Sequence, residues 1–406
     1  MVASAASFLN ARRLRGHGLV VALCLWSVYI WNISTPGLID RAGNIKGTDF
    51  LHLYTLGSIA LAHRGADLYN SQAQSELAAQ RVPAATGIHY LPLYPPQVSI
   101  FLAPFARLPY PWALSLWLSF SALIYGLCCY SIWRSCPNLS SHKLTVLILS
   151  LAFPAFWHLI AWGQTSALAL ACFTLAFFAL RAQRALLAGL ALGCLVFKPQ
   201  LAVAAAIVFS FTLNWTVIAG ALLSALTQLV AAWFYYGMGP LREWCAALAS
   251  VPRLLPQFEP RLYQTHSLRT FWIMLFPWQP GSVALYVITA ILASAMAVAC
   301  WRSRLPLSLR YSALLFGTVL LAPHLTVYDL VILAPAFLLL SDWICGQSGS
   351  NARASLKLML YLAFALPLLG PLARWTHLQL SVPVMAAILY WQWDLSRKTD
   401  PVPNSQ

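Results

Sequence analysis

The run that decides the fold covers residues 281–301, GSVALYVITAILASAMAVACW, and it contains no charged residue before its end. A helix of about 20 apolar residues crosses the ~30 Å hydrocarbon core of a bilayer. The run lacks the strict polar and apolar alternation that indicates a β-strand, and lipid permits only helices or closed barrels. We therefore predict that these residues form a membrane-spanning helix.

Similar runs recur along the chain, which is 60% hydrophobic and only 9% charged. They lie near residues 18–34, 111–133, 143–161, 165–180, 185–197, 199–213, 216–236, 308–322, 325–342, 356–373 and 379–394. The predicted fold class is an all-α polytopic membrane protein with about 12 transmembrane helices. We predict a single domain over residues 1–400, with outer loops at 35–94 and 237–280, and a disordered tail at 401–406.

The basic residues indicate which side of the membrane each loop faces. Arg12, Arg13 and Arg15 precede the first run, and most Lys and Arg residues of the short loops fall on the same side if all the runs cross. Both termini are therefore predicted to be cytoplasmic. A further crossing over Tyr94–Leu108 would place Arg181 and Arg184 outside, so this segment is predicted to be re-entrant or interfacial. The net charge of +15 is scattered through the loops, which argues against nucleic-acid binding.

The first outer loop contains two predicted helices. Apolar residues recur from Phe50 to Leu61 after Thr48 and before Gly65, which predicts an amphipathic helix on the membrane surface with Thr48 as its N-cap. A second, more polar helix is predicted from Asn70 to Arg81. Gly189 and Gly193 form a small-xxx-small pair, which favours close helix packing.

This topology places several unusual polar residues at one membrane face. They are Asp49, Gln164, Lys198, Gln200, His266, Arg269, His324 and Asp329. Four of them also have a structural explanation. Asp49 suits a helix N-terminus, Lys198 can extend to the interface, Gln164 can bond a neighbouring helix, and His324 can be an ordinary polar anchor. Their convergence on one face, in a topology derived from other residues, favours a functional site.

The chemistry of these groups suits glycosyl transfer from a phosphate leaving group. A carboxylate can take the proton from an attacking hydroxyl, and Arg, Lys and His can hold a phosphate as it departs. No glycine-rich nucleotide loop is present, and an outer-face site has no nucleotide sugars available. These points favour a donor sugar carried on a lipid phosphate.

The sequence resembles glycosyltransferase family 87 over most of residues 45–335. The ordered motifs that carry the resemblance are Gly47-Thr48-Asp49-Phe50, Gly65-Ala66-Asp67-Leu68-Tyr69, Tyr94-Pro95-Pro96, Ala103-Pro104-Phe105, Leu108-Pro109, Trp162-Gly163-Gln164, Lys198-Pro199-Gln200, Pro323-His324 and Tyr328-Asp329-Leu330. The resemblance implies a GT-C fold and a polyprenyl-phosphate donor, typically of mannose, with inversion to an α-linked product.

The resemblance also implies roles for the residues of the site. Asp49 becomes the general base, and Lys198, His324 and Arg269 become ligands of the donor phosphate. The expected substrate-binding residues are Gln164, Gln200, His266 and Tyr94. His266 departs from the pattern, because an amide or similar group is expected before Ser267. No metal or other cofactor is expected.

The predicted protein is therefore a hexosyltransferase of the bacterial inner membrane, with a periplasmic active site and a cell-envelope glycan or glycolipid as acceptor. Three alternatives stay open at this stage. A transporter or flippase would also use intramembrane His, Asp and Lys residues, although the sequence shows no clear internal repeat. A non-catalytic scaffold would not depend on Asp49, and an arabinosyl or glucosyl donor would keep the same chemistry.

Overall fold

The computed structural model describes residues 9–259, 261–347 and 351–399. Within these ranges the chain is helical, with only isolated β-bridges such as Thr265 with Thr326. The first half contains α1 Ala11–Ile33, α2 Thr48–Leu61, α3 Ser71–Arg81, α4 Gln97–Ala106, α5 Tyr110–Arg134, α6 Lys143–Leu151, α7 Pro154–Trp162, α8 Ser166–Arg181, α9 Ala185–Gly193 and α10 Val203–Phe211. The second half contains α11 Trp215–Tyr236, α12 Gly239–Phe258, α13 Leu268–Leu275, α14 Gln279–Arg302, α15 Leu307–Leu321, α16 Ala334–Gly346, α17 Asn351–Ala365, α18 Ala373–Thr376 and α19 Ser381–Thr399.

Six helical segments of the described chain are long and apolar enough to cross a membrane. They are Ala11–Ile33, Tyr110–Arg134, Trp215–Tyr236, Gln279–Arg302, Val327–Gly346 and Arg353–Thr376. A seventh arises if Pro137–Leu151 and Pro154–Trp162, bent by 45°, count as one span. The predicted run 281–301 is thus confirmed as a helix, whereas the count of about 12 is not shown, because runs such as Ser166–Arg181 form shorter apolar helices.

The surface and the interior of the bundle differ in the way that a multi-pass membrane protein requires. Apolar side chains of α1 such as Leu19, Val20 and Leu23 are exposed, although nothing in their chemistry favours water. In contrast, α15 and the following 3₁₀ segment Val327–Leu333 are buried almost throughout and form the centre of the core. The expected multi-pass organisation is supported by this arrangement.

Helices α9 and α11 pack at the closest distance that backbones allow. A Cβ atom on Gly189 would lie 2.1 Å from the Val217 carbonyl oxygen, and one on Gly193 would lie 2.2 Å from that of Ala221. Gly220 on α11 makes the reciprocal contact with α9. The predicted packing role of the two glycines of α9 is confirmed.

Helix α2 is where the sequence prediction is wrong. The helix does begin at Thr48, but every residue from 50 to 60 is buried, so it is not an amphipathic helix on the surface. The Thr48 hydroxyl donates to the Ile45 carbonyl and does not cap the helix. The reason is that α4 covers a second face of α2, at a distance that leaves no room for a Cβ on Gly57 beside the Leu102 carbonyl. The predicted polar helix is confirmed as α3, and Asn70 caps it.

The segment Tyr94–Leu108 contains α4, which has 10 residues and rises only about 15 Å. That length is about half of the hydrocarbon core, so α4 alone does not complete a crossing. Its position against α2 puts it at the end of the bundle where α1 ends and α5 begins. We term this the loop end, and we term the other end, where α1 begins and α5 finishes at Arg134, the basic end.

Candidate active site

Asp49 lies in the first turn of α2 and is joined to Gln164, which follows α7. The Gln164 amide nitrogen donates to a carboxylate oxygen of Asp49 at 2.6 Å. Gly163 makes this approach possible, because its φ of 71° suits glycine and a Cβ there would lie 2.8 Å from that of Phe50. The indole nitrogen of Trp117 donates to the Gly163 carbonyl at 2.8 Å and fixes the turn.

Tyr94 and Thr165 set the orientation of the Gln164 amide. The Tyr94 hydroxyl donates to the Gln164 side-chain oxygen at 3.3 Å, and the Thr165 backbone N–H donates to the same oxygen at 3.2 Å. With its oxygen occupied in this way, the amide must present its nitrogen to Asp49. Three residues predicted for the site, Asp49, Gln164 and Tyr94, are therefore brought together by the fold.

The environment of Asp49 makes it a stronger base than an ordinary aspartate. Burial raises the pKa of this carboxyl to about 6, although hydrogen bonding from Gln164 and the charge of Lys198 act in the opposite direction. Asp49 forms no ion pair with any residue that the structure describes. A carboxylate of this kind is mostly deprotonated at neutral pH and accepts a proton more readily than a solvated one.

Lys198 forms a buried ion pair next to Asp49. Its ammonium group lies 2.7 Å from a carboxylate oxygen of Asp329 and 3.0 Å from the Ser166 hydroxyl, and Ser166 donates to the same Asp329 oxygen at 2.6 Å. Lys198 is 6% exposed and Asp329 is 1% exposed. The other Asp329 oxygen accepts from Thr326, which anchors the carboxylate to the start of its 3₁₀ segment.

A second ionic cluster contains Arg269 and His324, which were both predicted to bind phosphate. The structure pairs each with Glu259: His324 Nδ1 lies 2.7 Å from one carboxylate oxygen, and the Arg269 guanidinium donates to the other. Arg269 also donates through Nε to the Pro323 carbonyl at 2.5 Å. His324 is close enough to Asp329 to act on it electrostatically, so the two clusters adjoin.

The remaining predicted residues occupy the edges of this region. His266 is 1% exposed, its Nδ1 lies 2.7 Å from the Ser381 hydroxyl, and burial lowers the pKa of its ring to about 3. A substrate would have to replace Ser381 to reach that nitrogen. Gln200 is half-buried on the turn beside Lys198. The predicted substrate contacts of His266 and Gln200 stay predictions.

Sequence reasoning missed three contributors to the site. Glu259 binds both Arg269 and His324, Ser166 bridges Lys198 and Asp329, and His52 stacks on Tyr90 at 4.8 Å one turn after Asp49. Glu259 had a usable signal, because it is a lone acid in an apolar stretch of a chain with only 10 Asp and Glu residues. His52 had another, since positions three apart share a helix face.

The described residues contain no group of three or more His, Cys, Asp or Glu side chains placed to hold a metal ion. Asp329 pairs with Lys198, and Glu259 pairs with Arg269. Independence of metal and other cofactors stays a prediction.

A comparison with known protein families found a match to the part of the chain that contains most of the site. The model described as Glycosyltransferase family 87 matches residues 93–323, which include Tyr94, Gln164, Lys198 and Arg269. His324 directly follows the matched range, whereas Asp49 precedes its start by 44 residues. Comparisons with curated proteins and with solved structures gave no match.

Proposed function

Because the chain belongs to glycosyltransferase family 87, we propose that this membrane glycosyltransferase moves mannose from a polyprenyl-phosphate donor to a hydroxyl group of a cell-envelope glycan or glycolipid. The family resemblance supplies the donor class and the sugar. Family membership favours this function over a transporter or a scaffold. The observation that supports the chemistry is a partly buried carboxylate, Asp49, that lacks a cationic partner in the described chain and has a raised pKa.

In the proposed reaction, the acceptor hydroxyl attacks the anomeric carbon of the donor sugar. Asp49 takes the hydroxyl proton as the new carbon–oxygen bond forms, and the bond to the phosphate breaks with its electron pair leaving on the phosphate oxygen. A single displacement of this kind inverts the anomeric carbon, so a β-linked donor gives an α-linked product. Gln164 acts by holding the Asp49 carboxylate in place.

The departing phosphate needs positive charge beside it, and Lys198, Arg269 and His324 are the proposed source. Of the three, Lys198 is the one whose charge acts on the Asp49 carboxyl. All three cationic groups have carboxylate partners in this structure, Asp329 or Glu259. We infer that the donor phosphate joins these ion pairs or displaces a carboxylate, which lets the site stay close to neutral before the donor binds.

The test is transfer by the purified full chain in lipid vesicles. The assay offers polyprenyl phosphates carrying mannose, glucose or arabinose, and a nucleotide sugar in a separate arm, with mass spectrometry of the products. We expect an α-linked product from the mannosyl lipid and none from the nucleotide sugar. Transfer from the nucleotide sugar alone would reject a lipid-borne donor, and a product from another lipid-linked sugar with none from the mannosyl lipid would reject mannose.

We also propose that the loop end faces the periplasm across a bacterial inner membrane, on the basis of the basic residues at the opposite end. The chain carries its own probes for this: Cys245 is exposed at the loop end, and Cys345 is exposed at the basic end. Variants that keep one of the two as their sole cysteine should react with an impermeant thiol reagent in whole cells only when that cysteine is Cys245. Labelling of Cys345 from outside would reverse the orientation.

A further inference from the structure

The basic end of the bundle contains a cavity that the transferase reaction does not use. Its volume is about 340 Å³, at the lower end of the range of roughly 300–1,000 Å³ for small-molecule sites. It lies between the start of α1, the region from Leu139 to Phe153, and helices α16 and α17, both of which line it along most of their length. None of the residues that line it belongs to the candidate active site described above.

The interior of the cavity is apolar and aromatic. Phe153, Phe337 and Phe364 form one wall, where the rings of Phe153 and Phe364 stack at 5.6 Å and that of Phe337 meets Phe153 edge-on at 5.5 Å. Leu149 and Leu360 also line it. A hydrocarbon chain fits such a lining, whereas a small hydrated ion does not.

The edge of the cavity is cationic. Arg353 and Lys357 both line it and lie one turn apart on α17, an arrangement in which like charges repel. Lys357 is half-buried and forms no ion pair with the described part of the chain. The nearby Asp342 is engaged by Asn138, whose backbone N–H donates to it at 2.7 Å. No Asp or Glu is found among the described residues that line the cavity.

We propose that this cavity binds an anionic phospholipid, with one acyl chain against Phe153, Phe337 and Phe364 and the phosphate beside Arg353 and Lys357. Both halves of the site are needed for this assignment. A zwitterionic lipid would fill the apolar part and leave the cations poorly matched, and a free phosphate would leave the apolar part empty. The site would hold α1, α16 and α17 together through a lipid at the opposite end from the chemistry.

The test uses the full chain purified in a mild detergent and measured by native mass spectrometry. Phosphatidylglycerol and phosphatidylcholine of the same acyl chains are added in competition, and glycerol phosphate is added in a separate arm. We expect the wild type to retain phosphatidylglycerol roughly tenfold better than phosphatidylcholine, and to retain no glycerol phosphate. The double variant Arg353→Gln/Lys357→Gln should lose that preference while still binding either lipid weakly.

The matched control is Arg181→Gln/Arg184→Gln, which removes two exposed charges at the same end of the bundle but outside the cavity lining. It should keep the wild-type preference. Equal retention of the two lipids by the wild type, an unchanged preference in the Arg353/Lys357 variant, or equal loss in the control variant would each overturn the proposal. Retention of glycerol phosphate would instead reduce the cavity to a phosphate site without a lipid.

Discussion

Asp49 and Glu259 are acidic side chains at the same end of the bundle, and their surroundings differ in one decisive respect. Asp49 accepts a hydrogen bond from a neutral amide, and burial raises its pKa. Glu259 is held between Arg269 and His324, with its side chain 1% exposed. Both carboxylate oxygens of Glu259 are thus engaged by partners, whereas Asp49 has no ion-pair partner in the described chain. The difference therefore assigns the basic role to Asp49 and a charge-balancing role to Glu259.

The largest expected effect is the difference in turnover between the two variants in which Asp49 or Glu259 is replaced by its amide. Asp49→Asn should lower turnover about 10²–10⁴-fold, the usual contribution of a general base, while leaving donor binding largely intact. Glu259→Gln, the matched control, should retain most of its turnover at saturating donor. The measurement is radiolabelled sugar transfer in vesicles. Similar losses in both variants would remove the distinction between the two acids.

The Lys198–Asp329 pair should show the next largest effect, on stability as well as on activity. Lys198→Met leaves Asp329 buried without its cation, which costs about 3–5 kcal/mol in comparable pairs. The double variant Lys198→Met/Asp329→Asn should recover most of that loss in thermal unfolding but not recover donor binding. If the double variant also regains a normal Michaelis constant for the donor, Lys198 is structural and the phosphate role is wrong.

Glu259→Gln should have a smaller effect on donor binding, and it should strengthen binding where Lys198→Met weakens it. Removing this negative charge leaves Arg269 without its counterion, so the donor phosphate should bind more tightly, by up to about tenfold in its Michaelis constant. The free protein should at the same time melt at a lower temperature, and added donor should restore the loss. An increase in the Michaelis constant would show instead that Glu259 is needed to position the two cations.

The smallest expected effect is a shift in the pH dependence of kcat/KM. If Asp49 must be deprotonated, kcat/KM should fall as the pH drops through about 6, the pKa of this carboxyl. Gln164 lowers that pKa by donating to Asp49, so Gln164→Leu should move the acid limb to higher pH. Glu259→Gln should leave the limb in place. If Gln164→Leu leaves the acid limb of the kcat/KM profile unchanged, that limb reports the titration of a group other than Asp49.

The sequence predicts the parts of this molecule that depend on local pattern. The run 281–301 forms a helix, the α9 glycines pack against α11, and the Trp-Gly-Gln turn reaches Asp49. The prediction of α2 as a surface helix is wrong because its apolar residues cover nearly the whole circumference, and only the position of α4 shows that both faces are buried. A near-continuous apolar pattern predicts a helix but not what surrounds it.

The partners of the charged groups could not be predicted for a related reason. Asp329 follows Lys198 by 131 positions, and Glu259 belongs to a different loop from His324. Spacing along the chain carries no information about pairs so far apart. The cations were therefore predicted as open phosphate ligands, whereas the structure shows each with a carboxylate. The roles of Asp49, Lys198, Arg269 and His324 stay predictions until the variants are measured.

The distance along the chain between Lys198 and Asp329 has a consequence for biosynthesis. At about 5–20 residues per second, the ribosome needs on the order of 10 s to add Asp329 after Lys198. During that interval Lys198 lacks its carboxylate partner, and an unpaired cation is costly to bury, so the helices on either side of it should pack fully only after the later segment is inserted. A nascent chain ending before residue 329 should accordingly leave Lys198 open to aqueous amine reagents, and the complete chain should protect it.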